Sequence, residues 1–197
     1  MIDNLSILLL NALVLMGSPG PATLSLAALG SAFGVRRSLR YLGGIICGTA
    51  TVLAVVASGI TGMLFAVPGA LPVVTVAAAA YILYLAWKIA SAPPVRQGEA
   101  GQVPSFPGGY FLAIANPKAY AAIGAVYSGT VVVEGQVGLD AAVKLVALTV
   151  VIAVVNLSWL LFGSAFSAAL SSPRLSRAIN IGFAILLVAS VLASLLL

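Results

Sequence analysis

Apolar residues fall in six long blocks, at about 5–33, 42–67, 71–90, 109–133, 141–166 and 179–197. Short polar or Pro/Gly-rich connections separate them, at 34–41, 68–70, 91–108, 134–140 and 171–177. Each block approaches the roughly 20 residues that a helix needs to cross a bilayer. A helix satisfies its own backbone, which makes it the only open-chain element stable in lipid. The pattern therefore predicts an all-α integral membrane protein with six transmembrane helices. A single membrane domain takes up residues 1–197 and leaves only loops over.

Composition narrows this reading. Of 197 residues, 62% are hydrophobic and 7% charged, whereas a soluble domain keeps about a quarter of its residues charged. The net charge of +5 comes from basic residues scattered among apolar runs, with no cluster or stripe for nucleic acid. Cys47 is the one cysteine and histidine is absent, so a disulfide, a thiol redox pair and a metal or other cofactor site are not expected. The start Met1-Ile2-Asp3-Asn4 lacks the basic region of a signal peptide, and the first block is expected to stay as a helix.

The basic residues set an orientation, because Lys and Arg beside short loops stay in the cytoplasm. Arg36, Arg37 and Arg40 fall in the first connection, Lys88 and Arg96 at the third, Arg174 and Arg177 at the fifth. The opposite side carries Asp3, Glu134 and Asp140 with Lys144. The predicted arrangement is N-out and C-out. Three helices followed by three similar ones then point in opposite directions, an inverted repeat of about 1–90 and 109–197 joined by a cytoplasmic loop at 91–108. Pro19 set against Pro117 aligns SPGPATLSLAALGS with NPKAYAAIGAVYSG.

Two blocks carry helix breaks. As one straight helix the first would be about 43 Å long against a hydrocarbon core of about 30 Å. Gly17-Ser18-Pro19-Gly20-Pro21 sits in its middle, and a half-helix can restart at Pro19 or Pro21. In the fourth block Asn116-Pro117 is an N-cap followed by proline at the first helical position. Lys118 follows in that first turn, where a cation opposes the helix dipole unless an anion meets both. Free N–H groups, dipole ends and one ammonium describe a carboxylate site between discontinuous helices. Each proline also has a reading as a simple kink, and Lys118 as a side chain that snorkels to the interface.

At these residues the chain resembles the LysE/RhtB-type amino-acid exporters of bacteria. The likeness includes Pro19-Gly20-Pro21 with Thr23 and Leu24, the glycine-rich stretch 43–48, AAYILYLAWK at 79–88 and Asn116-Pro117-Lys118-Ala119. It continues through Asn156-Leu157-Ser158-Trp159, Ser172-Pro173, Arg177 and Asn180. The resemblance implies a multi-pass inner-membrane exporter of amino acids or related metabolites, generally proton-driven and commonly self-associating, with a homodimer as the partner expectation. It carries over Pro19, Gly20, Pro21, Asn116, Pro117 and Lys118 as substrate-binding residues; Thr23, in the restarted half-helix, joins them, as do Tyr120 and Asn156 as candidates that could reach the cavity. Many family members have an acidic residue where this chain has Thr49. No carboxylate lies inside a predicted span either, which leaves Lys118, the Thr49 position, a residue at a helix end, or no coupled proton at all.

Other features have plainer readings. Gly30-x-x-x-Gly34 and Gly44-x-x-x-Gly48 favour close helix packing, within the monomer or between copies. Asn11 and Asn180 read as amides that join helices, Tyr81, Tyr84 and Trp87 as interfacial anchors, and Cys47 as a small apolar filler. A membrane enzyme lacks the residues its chemistry would need. A non-transporting scaffold would have no use for broken helices, and a metal-ion exporter would lack ligands. With no acid in the spans, a neutral, small amino acid is the expected cargo.

Overall fold

The computed structural model describes residues 2–59, 76, 80, 82–87, 89–91, 104–168, 177–178, 181–186 and 188–189. The described residues form helices and short connections, with no strand among them. Six helices carry the architecture: α1 (Ile2–Gly17), α2 (Pro21–Phe33), α3 (Val35–Ala57), α4 (Phe106–Ile114), α5 (Pro117–Gly129) and α6 (Val137–Ala168). Residues 82–87 and 181–186 are also helical. Lys88, Arg96, Arg174, Tyr81, Asn180 and Ser172-Pro173 lie outside the described residues or have undescribed side chains.

Among the described residues two helices are long and apolar enough to cross a membrane, α3 and the Val137–Phe166 part of α6. The α1–α2 pair adds a third if it counts as one span, bent by 65° at its break. Along α6 the side chains of Val146, Val150, Val154, Leu157, Leu161 and Phe162 are exposed. Their spacing puts an apolar stripe on the outer surface, where a soluble protein would place charge. The chain is a helical membrane protein.

The core divides into two clusters. One gathers Leu26 and Leu29 of α2, Tyr41 and Ile45 of α3, Leu85, and Leu112 of α4. The other gathers Leu8 of α1, Leu53 of α3, Ile123 of α5, and Leu148 and Ile152 of α6. The long helices α3 and α6 run through both clusters, while the broken helices divide between them. The breaks therefore lie at the boundary between the two cores.

Glycine sets how closely the first cluster packs. A Cβ on Gly30 would strike the Leu160 carbonyl oxygen, and one on Gly163 the Ala27 carbonyl oxygen, so α2 and α6 touch backbone to backbone. On the other flank a Cβ on Gly44 would strike the Phe106 oxygen and one on Gly109 the Tyr41 oxygen. A Cβ on Gly48 would come 2.7 Å from the Tyr110 oxygen. Gly30, Gly44 and Gly48 are thus used inside the monomer, and Gly34 serves the chain turn instead.

The expected loop at 34–41 is not a loop. Gly34 alone, with φ of +76°, makes the corner between α2 and α3, a conformation that glycine adopts without steric cost. Arg36, Arg37 and Arg40 are exposed on the first turns of α3 while Ser38 and Tyr41 face inward. Tyr41 donates to Ser25 Oγ at 3.1 Å, and Ser38 Oγ donates to the Leu29 oxygen at 3.3 Å, tying α3 back onto α2. Cys47 is exposed rather than a core filler.

Candidate functional site

The first break follows from its prolines, and the helix restarts at Pro21 rather than Pro19. Gly20 is the extended N-cap, and Pro21 occupies the first helical position, where its missing N–H costs nothing. Thr23 closes the turn: its Oγ1 accepts from Gly20 N–H at 2.9 Å and donates to the Gly20 oxygen at 3.1 Å. The next two N–H groups, on Ala22 and Thr23, have no partner within the helix by its geometry.

The second break is built the same way but capped differently. The Asn116 side chain accepts from Lys118 N–H at 3.2 Å, and Ala119 N–H donates to the Asn116 oxygen at 3.0 Å. The start of α5 thereby uses its own donors locally, whereas the start of α2 leaves two to the cavity.

Lys118 resolves the unfavourable position it holds in the sequence by reaching across to the first half. Its Nζ donates to the Ser18 oxygen and, at 2.9 Å, to the Pro19 oxygen. These carbonyls lie just past the end of α1, where a cation complements the dipole. Trp159 assists from α6, donating Nε1–H to the Gly17 oxygen at 3.0 Å. The Lys118 stem lies so close to Gly20 that a Cβ there would come 2.7 Å from Lys118 Cδ.

Between the breaks lies an open cavity with about 450 Å³ of empty space, counting its mouth. Its polar lining comprises Thr23, Thr49, Asn116, Lys118 and Asn156, with the backbone of Gly20. Met16, Ile123, Ile152 and Val155 supply much of the apolar wall. Pro19, Pro21, Pro117 and Tyr120 are not among the lining residues; the prolines shape the breaks, and Tyr120 is half-buried beside them.

The polar lining is mostly spoken for. Thr49 donates its hydroxyl to the Ile45 oxygen at 2.8 Å, which leaves lone pairs facing outward from its own helix. Asn156 donates Nδ2–H to the Ile152 oxygen at 2.8 Å, while its buried Oδ1 has no partner.

One polar cluster was not anticipated. Lys144, expected beside an outer loop, is buried within α6. Its Nζ lies 2.8 Å from Asp140 Oδ2, donates to the Tyr127 oxygen at 3.0 Å and stands 4.9 Å from the centre of the Tyr127 ring. Asp140 Oδ1 accepts from Val132 and Val133 N–H at 2.6 and 2.9 Å. Asn4 adds a bond to the Val131 oxygen at 2.8 Å. The connection between α5 and α6 is pinned on three sides. The i, i+4 spacing of Asp140 and Lys144 was the available signal in the sequence.

Comparison with known proteins places this architecture. The chain matches the LysE type translocator family over residues 13–196. It is 31% identical over 173 residues to the cysteine/O-acetylserine efflux protein of Escherichia coli strain K12, covering 87% of each chain. The protein of that name from Shigella flexneri is similar to the same extent, and one from Escherichia coli O139:H28 is 33% identical over about half of each chain. No solved structure matches. The family consists of translocators rather than enzymes. With nearly its whole length matched, the chain belongs to the LysE type translocator family.

Proposed function

We propose that the chain is a secondary transporter that exports small amino acids or related metabolites across the bacterial cytoplasmic membrane. The observation that carries this reading is the cavity beside two proline-started helices, with walls from both the Gly20–Thr49 side and the Asn116–Asn156 side of the chain. Thr49 and Asn156 stand two or more turns from the ends of the helices long enough to span. A site at that depth, where broken helices meet, suits alternating access. Relatives named for cysteine and O-acetylserine efflux argue for small neutral cargo, as does a lining with one ammonium and no carboxylate.

In this reading one membrane domain contains six spans. Residues 1–90 and 109–197 form inverted halves joined at 91–108, with both termini outside. Pro21 paired with Pro117 gives the better repeat register, because both open a half-helix. The cargo carboxylate binds at the start of α2, on the N–H groups of Ala22 and Thr23, with Lys118 lending charge and Asn116 bounding the site. Rocking of the halves then moves the site from one side to the other. Protons act through Lys118, whose charge holds the two halves together at Ser18 and Pro19. A second copy of the chain is the proposed partner in the bilayer.

Efflux from proteoliposomes preloaded with cysteine, O-acetylserine or serine tests this reading. Saturable loss of one of them, faster under an imposed proton gradient, is the expected result. Movement of none of them, compared with empty liposomes, would overturn it. A C-terminal reporter active only in the cytoplasm would overturn the orientation.

A further inference from the structure

We infer that the side-chain oxygen of Asn156 takes a hydrogen bond from the α-ammonium group of the cargo, so that the cavity selects molecules with a free amino group. This rests on the export reading above and adds which end of the cargo faces α6.

Asn156 is 5% exposed and forms part of the cavity wall. Its orientation is fixed by chemistry, because Nδ2 donates to the Ile152 oxygen at 2.8 Å and the opposite amide rotamer would set oxygen against oxygen. The other amide atom, Oδ1, is buried and is the one side-chain nitrogen or oxygen without a partner in that state among the described residues. An acceptor held dry and unpaired is unfavourable, and a donor brought by the cargo relieves it.

The rest of the wall says which donor. Thr49 donates its hydroxyl to the Ile45 oxygen and in that arrangement offers only lone pairs. On the α2 side the lining residues Ala22 and Thr23 have N–H groups with no partner in their helix, and Lys118 brings a positive charge. Donors on one wall and neutral acceptors on another fit a molecule carrying a carboxylate and an ammonium on one carbon. Neutral acceptors also suit a cargo that must leave, because they hold an ammonium less tightly than a carboxylate would.

The test uses the full chain in proteoliposomes loaded with L-serine, L-alanine or 3-hydroxypropionate, the last being serine without its amino group. Wild type is expected to export serine and alanine at concentrations about 10-fold or more below those needed for 3-hydroxypropionate. Asn156→Leu should raise the half-saturating concentration of both amino acids by about 10- to 100-fold and leave 3-hydroxypropionate within about two-fold. Equal handling of serine and 3-hydroxypropionate by wild type would overturn the inference even if Asn156→Leu failed to fold. So would an equal loss for all three cargoes, or a loss for serine but not alanine, which would assign Oδ1 to the side-chain hydroxyl. Export of no amino acid by wild type would instead overturn the transport reading itself.

Discussion

The ammonium of Lys118 donates to the main-chain oxygen of Pro19 at 2.9 Å, across 99 positions of sequence. A side chain from the first turn of one half-helix thereby completes the end of another. The carbonyls that the first break frees have no partner within α1 itself. Lys118→Gln should lower stability by about 1.5–3 kcal/mol, the range for hydrogen bonds to a charged group. Thermal unfolding in detergent measures it, and an unchanged midpoint would show that the carbonyls find other partners.

Gly20 and Lys118 should act as one unit. A Cβ at Gly20 would come 2.7 Å from Lys118 Cδ and 3.0 Å from Nζ, so Gly20→Ala must shift the lysine side chain that makes the carbonyl bonds. The Gly20→Ala and Lys118→Gln changes should therefore be non-additive, with a coupling of about 0.5–3 kcal/mol. A double variant whose loss equals the sum of the single losses would separate the two residues.

The pair of partly exposed Asp140 with buried Lys144 makes a sharper demand. Asp140→Asn leaves Lys144 buried without its counter-charge and weakens the bonds to Val132 and Val133 N–H. Losing hydrogen bonds to a charged group costs about 1.5–3 kcal/mol. Asp140→Asn combined with Lys144→Met should recover part of that loss, since no isolated charge remains. Denaturation of the four proteins in one detergent gives the cycle, and a double variant worse than Asp140→Asn alone would contradict it.

Much of this was legible in the sequence, for reasons that differ by residue. The breaks could be read because proline removes a donor wherever it stands, and because the first apolar block is longer than a membrane is thick. The choice of Pro21 over Pro19 could not, since it depends on Thr23 folding back onto Gly20. The arginines near 36–40 suggested a loop by their charge, yet their spacing also leaves Ser38 and Tyr41 on one helical face, and burial of that face decided the matter. Lys118 was visible as a misplaced cation, but its carbonyl partners lie in the other half of the chain. Lys144 looked like an ordinary outer charge because the oxygen of Tyr127 and the carboxylate of Asp140 converge on it only in three dimensions.

Glycine positions give the last prediction, because they separate close packing from mere flexibility. Gly44 and Gly124 are both helical glycines, but a Cβ on Gly44 would strike the Phe106 oxygen while one on Gly124 would meet nothing within 4 Å. Gly44→Ala must push α4 away from α3, an overpacking cost of about 1–3 kcal/mol. Gly124→Ala adds no contact and removes backbone freedom from the unfolded chain, a gain of about 0.5–1 kcal/mol. Opposite shifts in unfolding midpoint are expected for two chemically identical substitutions. If Gly44→Ala were neutral, the backbone contact between α3 and α4 would not be what holds that end of the bundle together.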